Sequence, residues 1–136
     1  MTLEELADTL PDGFHDAQIS SVSIDYIKRE ARLIIDLSVG DPSSEDEELR
    51  DAYREGELKL SGLLYWVIEP PHANYPYAES KQLWVDAGAL RSASFKPSVK
   101  LPEPLPAGAF ASWIFVQDWN SFMFVAAMDA SLEWSD

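Results

Sequence analysis

The apolar positions of the chain change period several times, and each change marks an element. Leu3, Leu6 and Leu10 stand at helical spacing behind Thr2-Leu3-Glu4-Glu5, a capping-box pattern in which side chains three residues apart satisfy each other's backbone N–H groups. The spacing predicts a short amphipathic helix over residues 3–9, closed by the turn Pro11-Asp12-Gly13. From Asp16 the period becomes two. Val22, Ile24 and Tyr26 alternate with Ser21, Ser23 and Asp25, and Leu33, Ile35, Leu37 and Val39 alternate with Arg32, Ile34, Asp36 and Ser38, as in half-buried strands. The short polar link Lys28-Arg29-Glu30 makes the pair a hairpin. Ile19 lies on the opposite parity to Val22, which places a bulge near Ser20.

Leu58, Leu60, Leu64, Trp66 and Ile68 share one parity, with Gly62 breaking the row. The opposite parity changes from Glu57, Lys59 and Ser61 to Leu63, Tyr65 and Val67, so the second half of this long strand is expected to be covered on both faces. Pro70-Pro71 stops it and a loop follows to Ser80. Leu83, Val85 and Ala87 form the next strand, with Trp84 on the reverse face. Prolines 97, 102, 104 and 106 keep residues 97–108 out of any central strand. Two dense apolar segments, Phe110–Val116 and Phe122–Met128, flank Asp118-Trp119-Asn120 as a second hairpin, and Leu132 and Trp134 suit a closing strand. The expected fold is mainly β, a single domain over residues 1–136, with an antiparallel sheet of about six or seven strands and a short N-terminal helix. Apolar parity on both faces of residues 63–68 and 110–128 calls for two layers or a homodimer contact.

Charge adds one more element. Residues 41–57 carry eight acids and only Arg50 and Arg54 as bases. Ser44-x-x-Glu47 repeats the capping-box form and Gly56 suits a helix end, so a short acidic helix over 45–55 is expected, with a mobile loop as the alternative. Over all 136 residues, 24 Asp+Glu stand against 10 Lys+Arg, a net charge of −14. That balance argues against nucleic acid, whose binders neutralise phosphates with Lys and Arg, and against anionic membrane surfaces. A basic protein partner is the complementary choice. The five Trp, five Tyr and six Phe argue against disorder.

With no cysteine, disulfides, thiolate nucleophiles and Cys-based metal sites are ruled out. The first basic residue is Lys28, so no positive signal-peptide start is visible, and the longest uncharged run, Pro104–Gln117, is short for a spanning helix. A soluble cytoplasmic protein is expected. No phosphate-binding, nucleophile-elbow or zinc-protease motif occurs, and the acidic run lacks the spacing of a calcium loop. No cofactor and no catalytic residue is therefore assigned, and the protein is not expected to be an enzyme.

Six residues remain as candidate binding positions. His15 and Asp16, in Phe14-His15-Asp16-Ala17, have the composition of an acid–base dyad or of a metal ligand with its orienting carboxylate. If residues 15–17 are already extended, neighbouring side chains point to opposite faces and do not meet. His15 then packs at a strand entrance and Asp16 caps a turn. His72, Tyr75 and Tyr77 lie in a loop stiffened by Pro70, Pro71 and Pro76, suited to a contact surface or to covering a sheet edge. Trp119, at the hairpin tip, either folds back on the sheet or marks a contact.

Gly13-Phe14-His15-Asp16-Ala17, followed by Ile19, Val22, Ile24 and the Leu33–Val39 strand, resembles the opening of a group of small bacterial β domains. Those domains begin with an F-H-D-A-type segment and a hairpin, and some are similar to immunity proteins of polymorphic toxin systems. The closing stretch from Asp118-Trp119-Asn120 to Glu133-Trp134 fits the same group. The resemblance implies a small β domain that neutralises a toxin by binding it, and it carries no catalytic residues. The leading expectation is thus a non-enzymatic acidic protein-binding module, and the alternative a small-ligand site or enzyme using His15 and Asp16.

Overall fold

The computed structural model describes residues 1–76, 79 and 81–135. The N-terminal helix α1 (Leu3–Asp8) begins where the capping box places it, with the Thr2 hydroxyl accepting from the Glu5 N–H and the Glu5 carboxylate from the Thr2 N–H. Eight antiparallel strands follow: β1 (Ala17–Asp25), β2 (Glu30–Ser38), β3 (Tyr53–Ser61), β4 (Tyr65–Ile68), β5 (Leu83–Ala89), β6 (Phe110–Val116), β7 (Ser121–Ala127) and β8 (Asp129–Trp134). They form one sheet in the order β4-β7-β6-β5-β1-β2-β3-β8, so the mainly β antiparallel expectation holds with eight segments rather than six or seven. The eighth arises because the expected long strand over 58–68 is broken into β3 and β4, while β8 is the expected closing strand. Gly62, at φ +59, interrupts β3–β4 and Met128 interrupts β7–β8.

These two broken strands bend the sheet back on itself. β3 pairs with β8 and β4 with β7, and the ladder crosses the joint through Met128 N–H to Ser61 O at 3.1 Å and Leu64 N–H to Ala126 O at 2.8 Å. Pairing therefore runs from β1 through β2, β3–β4, β8–β7, β6 and β5 and returns to β1. The seam at β1–β5 is the shortest ladder of the ring, joining only Ala17–Ile19 to Leu83–Val85. Beyond the seam β1 bulges between Ile19 and Ser21, at the expected place, and among the described residues Ser20–Asp25 has β2 as its one strand partner.

Side chains of one parity fill the ring: Leu33, Leu37, Leu60, Val85, Val116 and Val125 are among its fully buried members. α1 buries Leu3 and Leu6 and packs on β8 and β5, which are not neighbours in the ring. Outside the ring lies a second packed layer. Phe124 is fully buried on the outer parity of β7, stacked on Phe122 at 5.8 Å, and Phe122 in turn carries Phe95 at 4.5 Å. Phe95 brings the proline-rich segment across β6 and β7 as a strap, and Trp113 joins the cluster edge-on. This strap lies on the outer apolar parity of β6 and β7, within the stretches 63–68 and 110–128 whose two apolar faces called for two layers or a dimer contact.

Two expectations are corrected. The acidic helix is only α2 (Glu47–Arg50), capped by the Asp46 carboxylate rather than by Ser44. Gly56, expected as a helix end, lies inside β3, paired with Ile35 and Trp134. The β-ladder outcompetes the local helix signal because it pairs the chain from Tyr53 onward on β2 and from Gly56 onward on β8. The second half of the long strand is also less covered than its parity implied: Tyr65, Trp66 and Val67 are half-buried and Ile68 is 57% exposed, and among the described residues β4 pairs with β7 alone, at the end of the strand order. Among the described residues no helix is long and apolar enough to cross a membrane.

Candidate functional site

The seam ends in a polar cluster. His15 and Asp16 immediately precede β1, Asp86 follows the seam residue Val85, and Gln117 follows Val116, which is paired with Val85. His15 Nδ1 lies 2.7 Å from Asp86 Oδ1, which also accepts the Asp16 backbone N–H at 3.1 Å. The Gln117 amide donates to both Asp16 Oδ1 and Asp86 Oδ2, each at 3.1 Å. His15 Nε2 stands 3.4 Å from Asp16 Oδ2. The objection from extended geometry does not apply, since residues 11–16 form turns and Asp16 has φ +52, so these neighbours do meet.

His15 is held from one side by a hydrogen-bonded carboxylate and from the other by a second acid. The bond to Asp86, followed by the charges of Asp16, Asp86 and Asp12, raises its pKa above the ordinary value, against a smaller opposing effect of desolvation. A raised folded-state value means that the protonated imidazole favours the folded chain. That contribution is complete below the ordinary histidine value of about 6.5 and fades as the pH rises through the folded value. Because the side chain is 64% exposed, solvent screens much of it. An NMR titration of the His15 ring is expected to give a midpoint above that of a free histidine, and Asp86→Asn is expected to lower it. A midpoint at or below the free value would show that the carboxylates do not hold the ring.

Chemically, the group can store a proton or offer three ligand atoms, one each from His15, Asp16 and Asp86, all within 4.8 Å of one another. The Gln117 amide, which now donates to both carboxylates, can turn its oxygen toward a cation instead.

Beside this cluster lies an exposed aromatic pair that sequence reasoning missed. Trp84 and Tyr53 are 40% and 39% exposed and meet edge to face at 6.3 Å. The Tyr53 hydroxyl donates to the Asp16 backbone oxygen at 2.9 Å, tying the pair to the histidine cluster. Burial raises the Tyr53 pKa, and the charges of Asp16, Asp12 and Asp51 push it the same way. Trp84, Gln18, Asp36 and Glu55 form one cross-strand row over β5, β1, β2 and β3, and Asp118 accepts the Trp84 N–H at 2.8 Å. The available signal was a tryptophan on the polar parity of its strand.

The other candidates fall elsewhere. His72 N–H donates to Trp119 O at 2.9 Å and its Nδ1 accepts the Asn74 N–H at 3.2 Å, outside the three-residue cluster of His15, Asp16 and Asp86. Tyr75 packs edge-on against Trp119 at 6.4 Å, and Tyr77 lies outside the described residues. Trp119 folds back: it is half-buried against the core, and its indole N–H is buried without a partner among the described residues. No family model matches the chain, and no curated protein or solved structure matches it either.

Proposed function

We propose that the protein is a non-enzymatic binding module whose acidic aromatic face receives a basic protein, in the manner of an immunity protein. The observation that carries this reading is the exposed Tyr53–Trp84 pair, with Asp12, Asp16 and Asp51 about Tyr53 and Asp118 on the Trp84 backbone. Trp and Tyr are the residue types that most often dominate binding energy, and their ring faces attract arginine and lysine cations. Carboxylates around them add attraction for a basic partner and accelerate its approach. The rings sit over a four-strand platform, so little ordering is needed on binding.

The test is titration calorimetry against the protein products of the adjacent genes. A basic product is expected to bind at low salt and to weaken as salt rises. Trp84→Ala is expected to cost about 2 kcal/mol, roughly 30-fold in Kd, with its melting temperature checked in parallel. Absence of low-salt binding by any of these products, or binding indifferent to Trp84→Ala, would overturn the reading.

A second reading rests on the three convergent ligand atoms of His15, Asp16 and Asp86: a small-ligand or divalent-cation site at the same end of the seam. Zn²⁺ is the natural probe for a histidine with two carboxylates. It competes with the proton on His15, so under this reading it lowers the NMR titration midpoint, while under the first it leaves that midpoint in place.

A further inference from the structure

The strap encloses a recess whose chemistry runs against that of the rest of the molecule. Across the outer face of β4, β7 and β6 one row reads Tyr65, Ala126, Ala111, and the next reads Val67, Phe124, Trp113. Ala126 is fully buried, and Tyr65 and Ala111 on either side of it line a hollow beside the aromatic row. Phe95 pins the strap on Phe122 at 4.5 Å, and Ser98 pins it on Glu69, at the end of β4. Between strap and sheet is a cavity of about 970 Å³, floored by Ala111 and Tyr65 and walled by Val99, Leu101 and Leu105. That volume is at the upper end of ordinary small-molecule sites, roughly 300–1,000 Å³.

Three of the chain's 10 bases, Arg91, Lys96 and Lys100, line this one recess, against the single acid Glu103. Arg91 is engaged by Glu4 at 2.7 Å. Lys96 and Lys100 have no ion pair or hydrogen bond among the described residues. Elsewhere acids outnumber bases more than twofold, and several bases are paired, as Arg32 is with Glu57 and Lys59 with Glu30. Two lysines that have no partner among the described residues, in the lining of an apolar hollow, are complementary to one kind of molecule, an anionic head on an apolar body.

We propose that the recess beneath the strap binds a small amphiphilic carboxylate, its head between Lys96 and Lys100 and its hydrocarbon body against Val99, Leu101, Leu105 and the Ala111 floor. The ligand is a single soluble molecule and not a membrane surface, because the protein's net charge of −14 repels an anionic bilayer while a monomeric carboxylate meets only the local field. This site lies on the outer face of β4, β7 and β6, apart from the seam cluster.

The experiment compares decanoate, decanol and decyltrimethylammonium, each below its micellar concentration, by calorimetry and by amide chemical shifts of the intact chain. Decanoate is expected to bind as one molecule per chain, with shifts centred on Tyr65, Ala111 and residues 96–105. The cationic and neutral analogues are expected to bind about tenfold or more weakly. The double variant Lys96→Gln/Lys100→Gln should lose a similar factor for decanoate and none for decanol, a readout that general destabilisation cannot imitate. Ala111→Trp, which fills the hollow, should remove binding of both. Equal affinity for all three head groups, an unchanged double variant, or no decanoate binding at millimolar concentration would overturn the proposal.

Discussion

Phe124→Ala is expected to lower the free energy of unfolding by about 3–5 kcal/mol, the range for removing a large buried aromatic side chain. Phe124 has no exposed surface, although it faces outward from the ring. Its burial depends on Phe122, which stacks on it at 5.8 Å, and on the strap held over Phe122 by Phe95 at 4.5 Å. The alanine leaves a void bounded by rings that cannot all move inward, because Trp113 already lies against Gly88, where an added Cβ would come within 2.6 Å of the indole. Urea unfolding monitored by tryptophan fluorescence measures the loss. A change below about 1 kcal/mol would be that of a surface substitution, and would mean that the strap does not seal a second core.

Gly40→Ala is the second large effect, about 1–3 kcal/mol, and its origin is different. Gly40 does not require a left-handed backbone, so alanine meets no conformational objection there. What excludes a side chain is another backbone: an added Cβ would stand 1.9 Å from the Arg50 carbonyl oxygen and 2.5 Å from its carbon. The two segments are fastened on both sides of that contact, by Val39 N–H to Ala52 O and Asp41 N–H to Leu49 O, each at 2.9 Å. Alanine must therefore push the acidic segment with α2 away from β2. The melting temperature and the amide exchange of Asp41 report this together. Unchanged stability with unchanged Asp41 protection would mean that the Arg50 backbone is not held against Gly40.

Much of the fold is legible in the sequence, because local signals and tertiary pairing agree there. The Thr2 capping box, the β1–β2 hairpin, the bulge at Ser20 and the break at Gly62 each follow from residues within a few positions of one another. The acidic segment shows the opposite case. Ser44-x-x-Glu47 and Gly56 describe a helix locally, but the chain from Tyr53 is worth more as the strand between β2 and β8. The candidate site was half legible for the same reason. His15 and Asp16 are adjacent and easily singled out, whereas their partners Asp86 and Gln117 lie 70 and 101 residues beyond Asp16 and are brought to it only by the β1–β5–β6 pairing. Trp84 was visible as a reverse-face residue. Its exposure beside Tyr53 depends on sheet order, which short-range pattern does not encode.

At the β1–β5 seam the ring is joined by its fewest residue pairs. Separating β1 from β5 breaks a ladder of three residue pairs and leaves the β1–β2 and β6–β7 hairpins and the β3–β8 and β4–β7 ladders intact. An opened chain presents two complementary strand edges, each shaped to the other. The same opening parts His15 and Asp16 from Asp86 and Gln117, so the hydrogen bonds of the polar cluster act as a clasp at the end of the shortest ladder.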